Sequence, residues 1–271
     1  MIKSNRRIAR SDIDTLDLET RVQLEAQITD ARSEVIDFER FKQIDTDLAH
    51  YAASTPWWTY LFNFLGPVAG KTILDVACGY SMTPVILASA GATVHAIDVA
   101  PKTVATVQQF AEYKGVGKRV FARVSAAEEL AYADETFDLI FGGAALHHLQ
   151  LDRAALEFRR VLKPGGRAAF QDPLGHNLLL EFARDYLPYK DKHPVKGTDR
   201  PLQVSDIETF GRYFTSYTWR GFDLVAMARK PFHLKKQSSV RKALYGIDNA
   251  LFTMAPFLQR YARFAVTCVT K

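Results

Sequence analysis

The sequence predicts an α/β fold with a mostly parallel sheet and helices on both faces. From Lys71 to Asp172, short apolar runs alternate with stretches of helical period, and glycines or prolines separate them. Alternation of this kind is typical of parallel sheets whose two faces are both buried. Hydrophobic residues make up 48% of the 271 residues, so the chain has enough apolar side chains for a large core.

The chain before the sheet is predicted to be helical, as a lid of residues 1–66 on a core of residues 67–271. Residues 16–50 carry apolar side chains near the helical period, with many charges and no glycine or proline. A second helix follows a serine–threonine pair that can cap it. Pro56 suits its first turn and Gly66 ends it.

Five strands and three helices are predicted in the alternating region. The strands, in chain order, are KTILDVA, TVHAIDV, RVFARVS, FDLIFGG and RAAFQD. The helices are PVILASAG, KTVATVQQFAEYKG and DRAALEFRRVLKPGG, the last of which lies between the fourth and fifth strands. Right-handed crossovers are expected to connect the parallel strands.

The regular alternation ends after the fifth strand. Residues 173–202 hold four of the eleven prolines, and we interpret them, with residues 229–262, as insertions on the substrate side. Helices are predicted for NLLLEFARDYL and SDIETFGRYF, a sixth strand for YTWRGFDLVAMA, and a last strand for ARFAVTCVT. Residues 238–262 are predicted to be helical. No clean linker divides the chain, so one elaborated domain is expected.

Composition and charge exclude several classes of protein. The net charge of +5, from 35 basic and 30 acidic residues, is spread along the chain, whereas nucleic-acid binders usually concentrate basic residues in one stripe. The one basic cluster, Arg229 to Lys242, is interpreted as a solvated connection; contact with an anionic substrate or a membrane surface is the alternative. We expect no nucleic-acid partner.

The cysteines and the apolar runs indicate a cytoplasmic protein. Cys78 and Cys268 cannot form a framework of disulfides, and neither lies in a C-x-x-C pair, which argues against a zinc site. The N-terminus has no apolar secretion signal, and no apolar run is long enough to span a bilayer. We therefore expect no metal and no stable membrane insertion.

The turn ILDVACGYSMTP, at the end of the first strand, favours a cationic ligand. Ligands of such sheets bind beyond the carboxyl ends of the strands. Asp75 ends this strand, and the small residues Ala77 and Gly79 let a ligand approach the backbone. Asp98, at the end of the second strand, suits the hydroxyls of a ribose. A dinucleotide would need G-x-G-x-x-G, and Asp75 would repel its phosphates. S-adenosylmethionine has a ribose, an α-ammonium and a sulfonium, and so fits this charge pattern.

Four segments resemble the class I S-adenosylmethionine-dependent methyltransferases. LDVACGYS is similar to the family's LDxGxGxG motif, and AIDVAP to the acidic end of its second strand. AAEELAYADETFDLIFGGAALHHL and EFRRVLKPGGRAAFQDP resemble its third-to-fourth strand segment and its RVLKPGG segment. Together they cover residues 70 to 175 in the family's order. The resemblance implies a Rossmann-like class I methyltransferase fold, a seven-stranded sheet and S-adenosyl-L-methionine as cofactor.

Most cofactor-binding candidates follow from the resemblance, and Tyr51, which lies just before the aromatic helix, is a further one. Ala77 and Ser81 stand where the first and third motif glycines are usual. Ala126 stands where an aspartate usually contacts the adenine amine, so Glu128, a backbone amide or water would serve instead. The residues expected to bind the cofactor are Tyr51, Asp75, Ala77, Cys78, Gly79, Asp98, Val99, Ala126, Ala127, Glu128 and Gly142.

Two histidines and an aspartate are candidates for catalysis. His147 and His148 follow the fourth strand, where the family places substrate-facing residues, and one of them could remove a proton from the acceptor. One packed and one exposed histidine without a chemical role is the alternative. Asp172, at the end of the fifth strand, could orient the base or bind substrate; alternatively, it caps the Asp-Pro turn.

Aromatic and histidine side chains are candidates for substrate binding. Trp57 and Trp58 lie in an aromatic helix that could close over an apolar acceptor; packing in the core is the alternative. His176, Tyr186 and His193 fall at the substrate-side rim, where structural or solvated roles are the alternative for the histidines. A pocket lined by aromatic side chains suits a flat or apolar small molecule.

The sequence therefore predicts a methyltransferase for a small aromatic or lipid-like metabolite, with O- or C-methylation and a role in secondary metabolism. One alternative is C-methylation of an isoprenyl diphosphate held by the basic residues Lys235, Lys236 and Arg241. A nicotinamide-dependent oxidoreductase and a non-catalytic protein of the same fold are the others. The partner is expected to be a small-molecule substrate, and a homodimer is compatible with the sequence.

Overall fold

The computed structural model describes residues 17–32, 42–186, 200–229 and 238–271. The helices are α1 (Leu18–Arg32), α2 (Leu48–Ala53), α3 (Pro56–Leu65), α4 (Thr83–Ser89), α5 (Pro101–Tyr113), α6 (Leu151–Val161), α7 (Leu178–Tyr186), α8 (Val204–Gly211) and α9 (Ser239–Met254). The strands are β1 (Thr72–Val76), β2 (Thr93–Asp98), β3 (Val120–Val124), β4 (Phe137–Gly143), β5 (Leu162–Pro173), β6 (Ser216–Phe222) and β7 (Phe264–Thr270). Short 3₁₀ helices span Gly117–Arg119, Leu146–His148, Ala226–Arg229 and Pro256–Tyr261.

Within these ranges, seven strands form one sheet in the order β3-β2-β1-β4-β5-β7-β6. The five strands from β3 to β5 run parallel, and β7 is antiparallel to both of its neighbours. This arrangement confirms the predicted α/β class I methyltransferase fold. The chain leaves β1 toward β2 on one side and returns as β4 on the other. The carboxyl ends of β1 and β4 therefore flank the crevice where ligands of such sheets bind.

The core consists of one apolar cluster on each face of the sheet. The first includes Phe62 and Phe110, and the helices α2 and α3 add partly buried aromatic side chains to it. The second includes Phe158, Phe170 and Phe210, whose rings contact one another at centroid distances of 5.4 to 6.3 Å. Burial on both faces agrees with the continuous apolar runs of the central strands.

The predicted signals at the ends of α3 are confirmed. The Thr55 hydroxyl accepts a hydrogen bond from the Trp58 amide at 3.3 Å, and Pro56 is the first residue of the helix. Gly66 follows the helix with a φ of +74°, in the left-handed region that favours glycine. These two ends place the aromatic residues of α3 against the sheet.

The helical structure predicted for residues 16–50 is confirmed only in part. Residues 44–47 are not helical, and residues 33–41 lie outside the described part of the chain. Asp47 caps a separate helix, because its carboxylate accepts hydrogen bonds from the Ala49 and His50 amides at 2.7 and 3.3 Å. The apolar period continues through this break, and the capping aspartate is one of many acids in the segment. The sequence pattern therefore does not show that a new helix begins here.

Three predicted boundaries are also corrected. α6 ends at Val161, and β5 begins at once, with a register shift against β4. The sixth strand ends at Phe222, because Asp223 has a φ of +64° that turns the chain out of the sheet. The helix predicted for 238–262 ends at Met254, and a 3₁₀ helix follows from Pro256. None of the described helices is long and apolar enough to cross a bilayer.

Candidate functional site

Two adjoining cavities lie at the carboxyl ends of β1 and β4. The larger, of about 300 Å³, is covered by α1, and the smaller, of about 160 Å³, is covered by α2 and α3. A volume of about 300 Å³ is at the lower end of the usual range for small-molecule sites. Three small residues, Ala77, Gly143 and Ala144, line both cavities and are the wall between them. A ligand with two ends can therefore place one end in each cavity.

The loop after β1 has the backbone that the motif requires. Ala77 adopts a φ of +49°, in a region where a Cβ atom costs about 1 kcal/mol and glycine is favoured. The Cys78 amide then donates to the Ile97 carbonyl at 2.9 Å, which ties the loop to the end of β2. The position where the family has a glycine is thus a left-handed position here, although the residue is alanine.

Asp98, which ends β2, fixes this loop from the other side. Its two carboxylate oxygens accept hydrogen bonds from the Gly79 and Ala100 amides, each at 2.9 Å. Burial raises the pKa of Asp98, and the two amide bonds oppose that rise. The side chain also lines the larger cavity, where its remaining lone pairs can accept hydrogen bonds from hydroxyl groups of a ligand.

Asp75 is a buried acid without a full set of partners. It is 1% exposed, and its Oδ2 atom has no hydrogen-bond partner. Burial, and secondly the charge of Asp98, raise the pKa of Asp75 well above its ordinary value. Since a buried, unpaired carboxylate is costly, the site gains from a bound cation. Asp75 lines the smaller cavity, so that cation would lie there.

α1 covers the larger cavity through one arginine. Arg21 donates to Glu128 Oε1 at 2.6 Å and to the His148 carbonyl at 2.7 Å. Glu128 Oε1 also accepts from the Gln150 amide at 2.9 Å. Glu25 of α1 lies 3.6 Å from the His148 ring. The predicted cofactor residue Glu128 therefore lines the cavity and also holds its cover in place.

Aromatic rings and hydroxyl groups line the smaller cavity. The Trp58 ring lies 5.3 Å from the Tyr51 ring and 5.8 Å from the Phe141 ring, between centroids. The Tyr51 hydroxyl contacts the Thr83 hydroxyl at 3.2 Å, and the Thr83 hydroxyl contacts that of Ser81 at 2.7 Å. The cavity therefore has an apolar aromatic side and a side that can donate hydrogen bonds.

His147 and Asp172 form a buried pair. The His147 ring nitrogen Nδ1 lies 2.8 Å from Asp172 Oδ1, and the His147 amide donates to the same oxygen at 3.3 Å. Neither side chain lines either cavity. His148 does line the larger cavity. The pair thus fixes the 3₁₀ helix that presents His148, and the predicted catalytic roles of all three residues stay predictions.

The remaining cofactor candidates lie at or beside the two cavities. Val99 and Ala127 line the larger one, and Cys78 lines the smaller one. Ala126 is half-buried and lines neither. A Cβ atom on Gly142 would lie 2.6 Å from the Phe170 ring, so this glycine is required for the packing of β4. Any contact of Gly142 with a ligand would have to come from its backbone.

The substrate candidates are separated by the structure. Trp57 lines neither cavity, and its ring packs against Phe264 and under the Arg229 guanidinium. His176 Nε2 accepts the Val204 amide at 3.0 Å, and burial lowers its pKa, so the neutral ring helps to begin α8. The other two substrate candidates, the Tyr186 side chain and His193, lie outside the described part of the molecule.

Several cavity residues are absent from the sequence prediction, and Gln171 and Arg21 are two of them. Gln171 lines the smaller cavity, is 8% exposed, and lies immediately before Asp172 in β5. Side chains alternate along a strand, so Gln171 and Asp172 lie on opposite faces of the sheet. From the sequence alone, either of them could have been predicted to face the site. Arg21 lies in a charged helix far from the motifs in sequence. Nothing in the sequence near Arg21 indicates that it lies over the cavity.

Comparisons with known proteins agree with this geometry. The Methyltransferase domain family matches residues 74–170, which run from β1 through most of β5. Methyltransferase GfsG of Streptomyces halstedii is 34% identical over 114 residues, 41% of each chain. The ubiquinone biosynthesis O-methyltransferase of Rhizobium leguminosarum is 33% identical over 163 residues, 54% of this chain and 62% of that protein. This chain thus spans less than two thirds of the length of either relative.

A solved structure extends the similarity in fold beyond the matched domain. Phosphoethanolamine N-methyltransferase 2 of Haemonchus contortus, in complex with S-adenosyl-L-methionine, aligns with a TM-score of 0.57 at 18% identity. The alignment covers 88% of this chain and 60% of that one. Residues 74–170 thus match a methyltransferase domain, and this match, with the named relatives and the strand order, supports a class I S-adenosylmethionine-dependent methyltransferase.

Proposed function

We propose that this protein transfers the methyl group of S-adenosylmethionine to a small aromatic or lipid-like acceptor. The observation that carries the proposal is the pair of adjoining cavities, with Asp98 in one and the unpaired carboxylate of Asp75 in the other. A ligand with a ribose at one end and a cationic amino acid at the other satisfies both acids. The relatives that carry methyltransferase names support the same reaction class.

The residues present fit this cofactor. Asp98 would accept hydrogen bonds from the ribose hydroxyls, and Asp75 would pair with the α-ammonium. The hydroxyls of Tyr51, Ser81 and Thr83 line the same cavity or its edge and can donate to a carboxylate. Burial raises the pKa of Tyr51 to about 12, so its hydroxyl keeps its proton at neutral pH.

The bound cofactor supplies an electrophilic methyl group on a sulfonium. The chain contributes alignment and exclusion of water. The Trp58 and Phe141 rings can stabilise positive charge with their faces and hold an apolar acceptor against the donor. The Cys78 thiol is not suited to act as a nucleophile, because burial raises its pKa well above the ordinary value and keeps it protonated.

The acceptor is proposed to lie beside Trp58, Phe141 and Gln171. These residues offer an aromatic wall and one amide, which suits a flat or apolar molecule with a polar atom near the nucleophile. The alternative acceptor, an isoprenyl diphosphate, gains no support from Arg241. The guanidinium of Arg241 is buried against the Tyr245 ring, and it lines neither cavity.

Titration calorimetry with S-adenosylmethionine and S-adenosylhomocysteine tests the cofactor. Both are expected to bind at one site per chain, and a reduced nicotinamide dinucleotide is expected not to bind. Methyl transfer is then followed with isotope-labelled donor and a panel of phenols, quinols and polyketide-type acceptors. The absence of heat with either adenosyl ligand would contradict the proposed function.

Gln171→Leu is expected to raise the KM for the acceptor by about tenfold and to leave the affinity for S-adenosylhomocysteine unchanged. The loss of one hydrogen bond in a buried site is worth about 1 kcal/mol, or a factor of about 5 to 10. Steady-state kinetics at saturating donor measure the first quantity, and calorimetry the second. The matched control is Gln109→Leu, at an exposed position of α5. An unchanged KM, or a loss of cofactor affinity, would remove Gln171 from the acceptor site.

A further inference from the structure

α9 presents an apolar stripe to solvent. Its residues follow a spacing of three and four and continue into the next 3₁₀ helix; they are Val240, Ala243, Ile247, Ala250, Met254 and Phe257, here called the α9 stripe. Those of the helix itself lie within about 80° of one another around its axis. Met254 is 84% exposed and Phe257 is 65% exposed. Exposed large apolar side chains in one row are typical of an interaction surface.

The α9 stripe is not what holds the helix to the protein. The opposite face of α9 is buried through Arg241, Asp248 and Phe252. Asp248 accepts hydrogen bonds from three successive backbone amides after β6, at 2.7 to 3.3 Å. α9 is thus anchored from one side, and the exposed apolar row has no structural task in the described molecule.

Within the segment that carries the α9 stripe, the exposed charges are of one sign. Between residues 239 and 261 the exposed charged side chains are Lys242 and Arg260. The only acid of this segment, Asp248, is buried and bound to backbone amides. An apolar row with flanking cations and no exposed acid complements an anionic surface. Two copies of the chain would instead bring like charges together.

The α9 stripe also lies at the carboxyl edge of the sheet, as the two cavities do. The 3₁₀ helix Pro256–Tyr261 leads directly into β7, and the Tyr261 carbonyl accepts from the Asn177 side chain at 2.9 Å. Leu178 and Leu179 follow at the start of α7 and are both exposed. A partner that covers the stripe would therefore lie beside the edge where the site opens.

We propose that the α9 stripe docks this protein on the surface of an anionic lipid bilayer. Met254 and Phe257 enter the region between head groups and acyl chains, and Lys242 and Arg260 contact the anionic head groups. The docking places the carboxyl edge of the sheet toward the membrane, where an apolar acceptor would be concentrated. The lipid-binding step stands on α9 alone and does not depend on the proposed methyl transfer.

Vesicle co-sedimentation tests the docking. The purified chain is mixed with phosphatidylcholine vesicles, with and without phosphatidylglycerol, at low and high salt. Binding is expected only with the anionic lipid and is expected to weaken as salt screens the charges. Met254→Asp and Phe257→Asp are each expected to lower the partition coefficient by about tenfold or more. Both positions are exposed, and thermal unfolding checks that the variants are folded.

Leu156→Asp is the matched control, since it places the same acid at an exposed leucine of α6. It is expected to keep the vesicle binding of the wild type. The proposal is overturned if the wild type does not sediment with anionic vesicles, or if the α9 variants bind as well as the control. It is also overturned if light scattering shows a dimer that the α9 variants dissociate, since the stripe is then an interface between two copies.

Discussion

Asp98→Ala is expected to weaken the binding of S-adenosylhomocysteine by two to four orders of magnitude. Two interactions are lost together: the proposed hydrogen bonds to the ribose, and the bonds that Asp98 accepts from the Gly79 and Ala100 amides. Hydrogen bonds to a buried carboxylate are each worth about 1.5 to 3 kcal/mol, which for two gives a factor of roughly 10² to 10⁴. Titration calorimetry measures the dissociation constant.

The control for Asp98 is Glu129→Ala, which removes an exposed acid near the larger cavity. Its affinity is expected to equal that of the wild type. Thermal unfolding without ligand shows whether Asp98→Ala keeps its fold, since two amides of the loop lose their partner. A folded Asp98→Ala variant that binds within threefold of the wild type would show that the larger cavity does not hold the ribose.

The two acids of the site could be predicted because each stands at the end of an apolar strand. In a parallel sheet such ends meet at one edge, so Asp75 and Asp98 are both expected at that edge. The need for glycine at position 142 could not be predicted. The Phe170 ring, which leaves no room for a Cβ atom there, lies 28 residues later in another strand. The order of elements along the sequence predicts which edge of the sheet a residue lies at. It does not predict which side chain from another strand packs beside that residue.

The helices were less predictable than the strands, for a physical reason. The apolar period of residues 16–50 continues through the turn before Asp47, and one capping carboxylate decides where the second helix begins. The role of Arg21 depends on how α1 crosses the sheet edge, and the motifs say nothing of this. Tertiary packing decides which helices and side chains cover and line the site. The positions of the two proposed ligand-binding acids follow from where the strands end.

Asp75→Asn is expected to make the unliganded protein more stable and to weaken its binding of S-adenosylmethionine. The Asp75 carboxylate is buried, its Oδ2 has no partner, and the charge of Asp98 is close enough to raise its pKa. A neutral amide of the same shape has no charge to bury beside Asp98, and losing that charge is expected to stabilise the unliganded protein by about 1 to 3 kcal/mol. The same change removes the proposed partner of the α-ammonium, so affinity is expected to fall by about 10- to 100-fold. Urea unfolding and calorimetry give the two quantities separately.

The stability difference between Asp75→Asn and the wild type is also expected to depend on pH in a defined direction. The folded pKa of Asp75 is raised above the unfolded value of 3.8, so the wild type binds its proton more tightly when folded. This contribution to stability is complete below the unfolded pKa and is lost as pH rises through the folded pKa. The variant lacks this titration, and the other carboxyl groups are common to both proteins. The advantage of the variant should therefore grow from about pH 3 upward and level off above the folded pKa. A difference that is independent of pH, or a variant less stable than the wild type at pH 7, would contradict the prediction. Asp75 would then not be a buried acid whose charge lacks compensation in the unliganded protein.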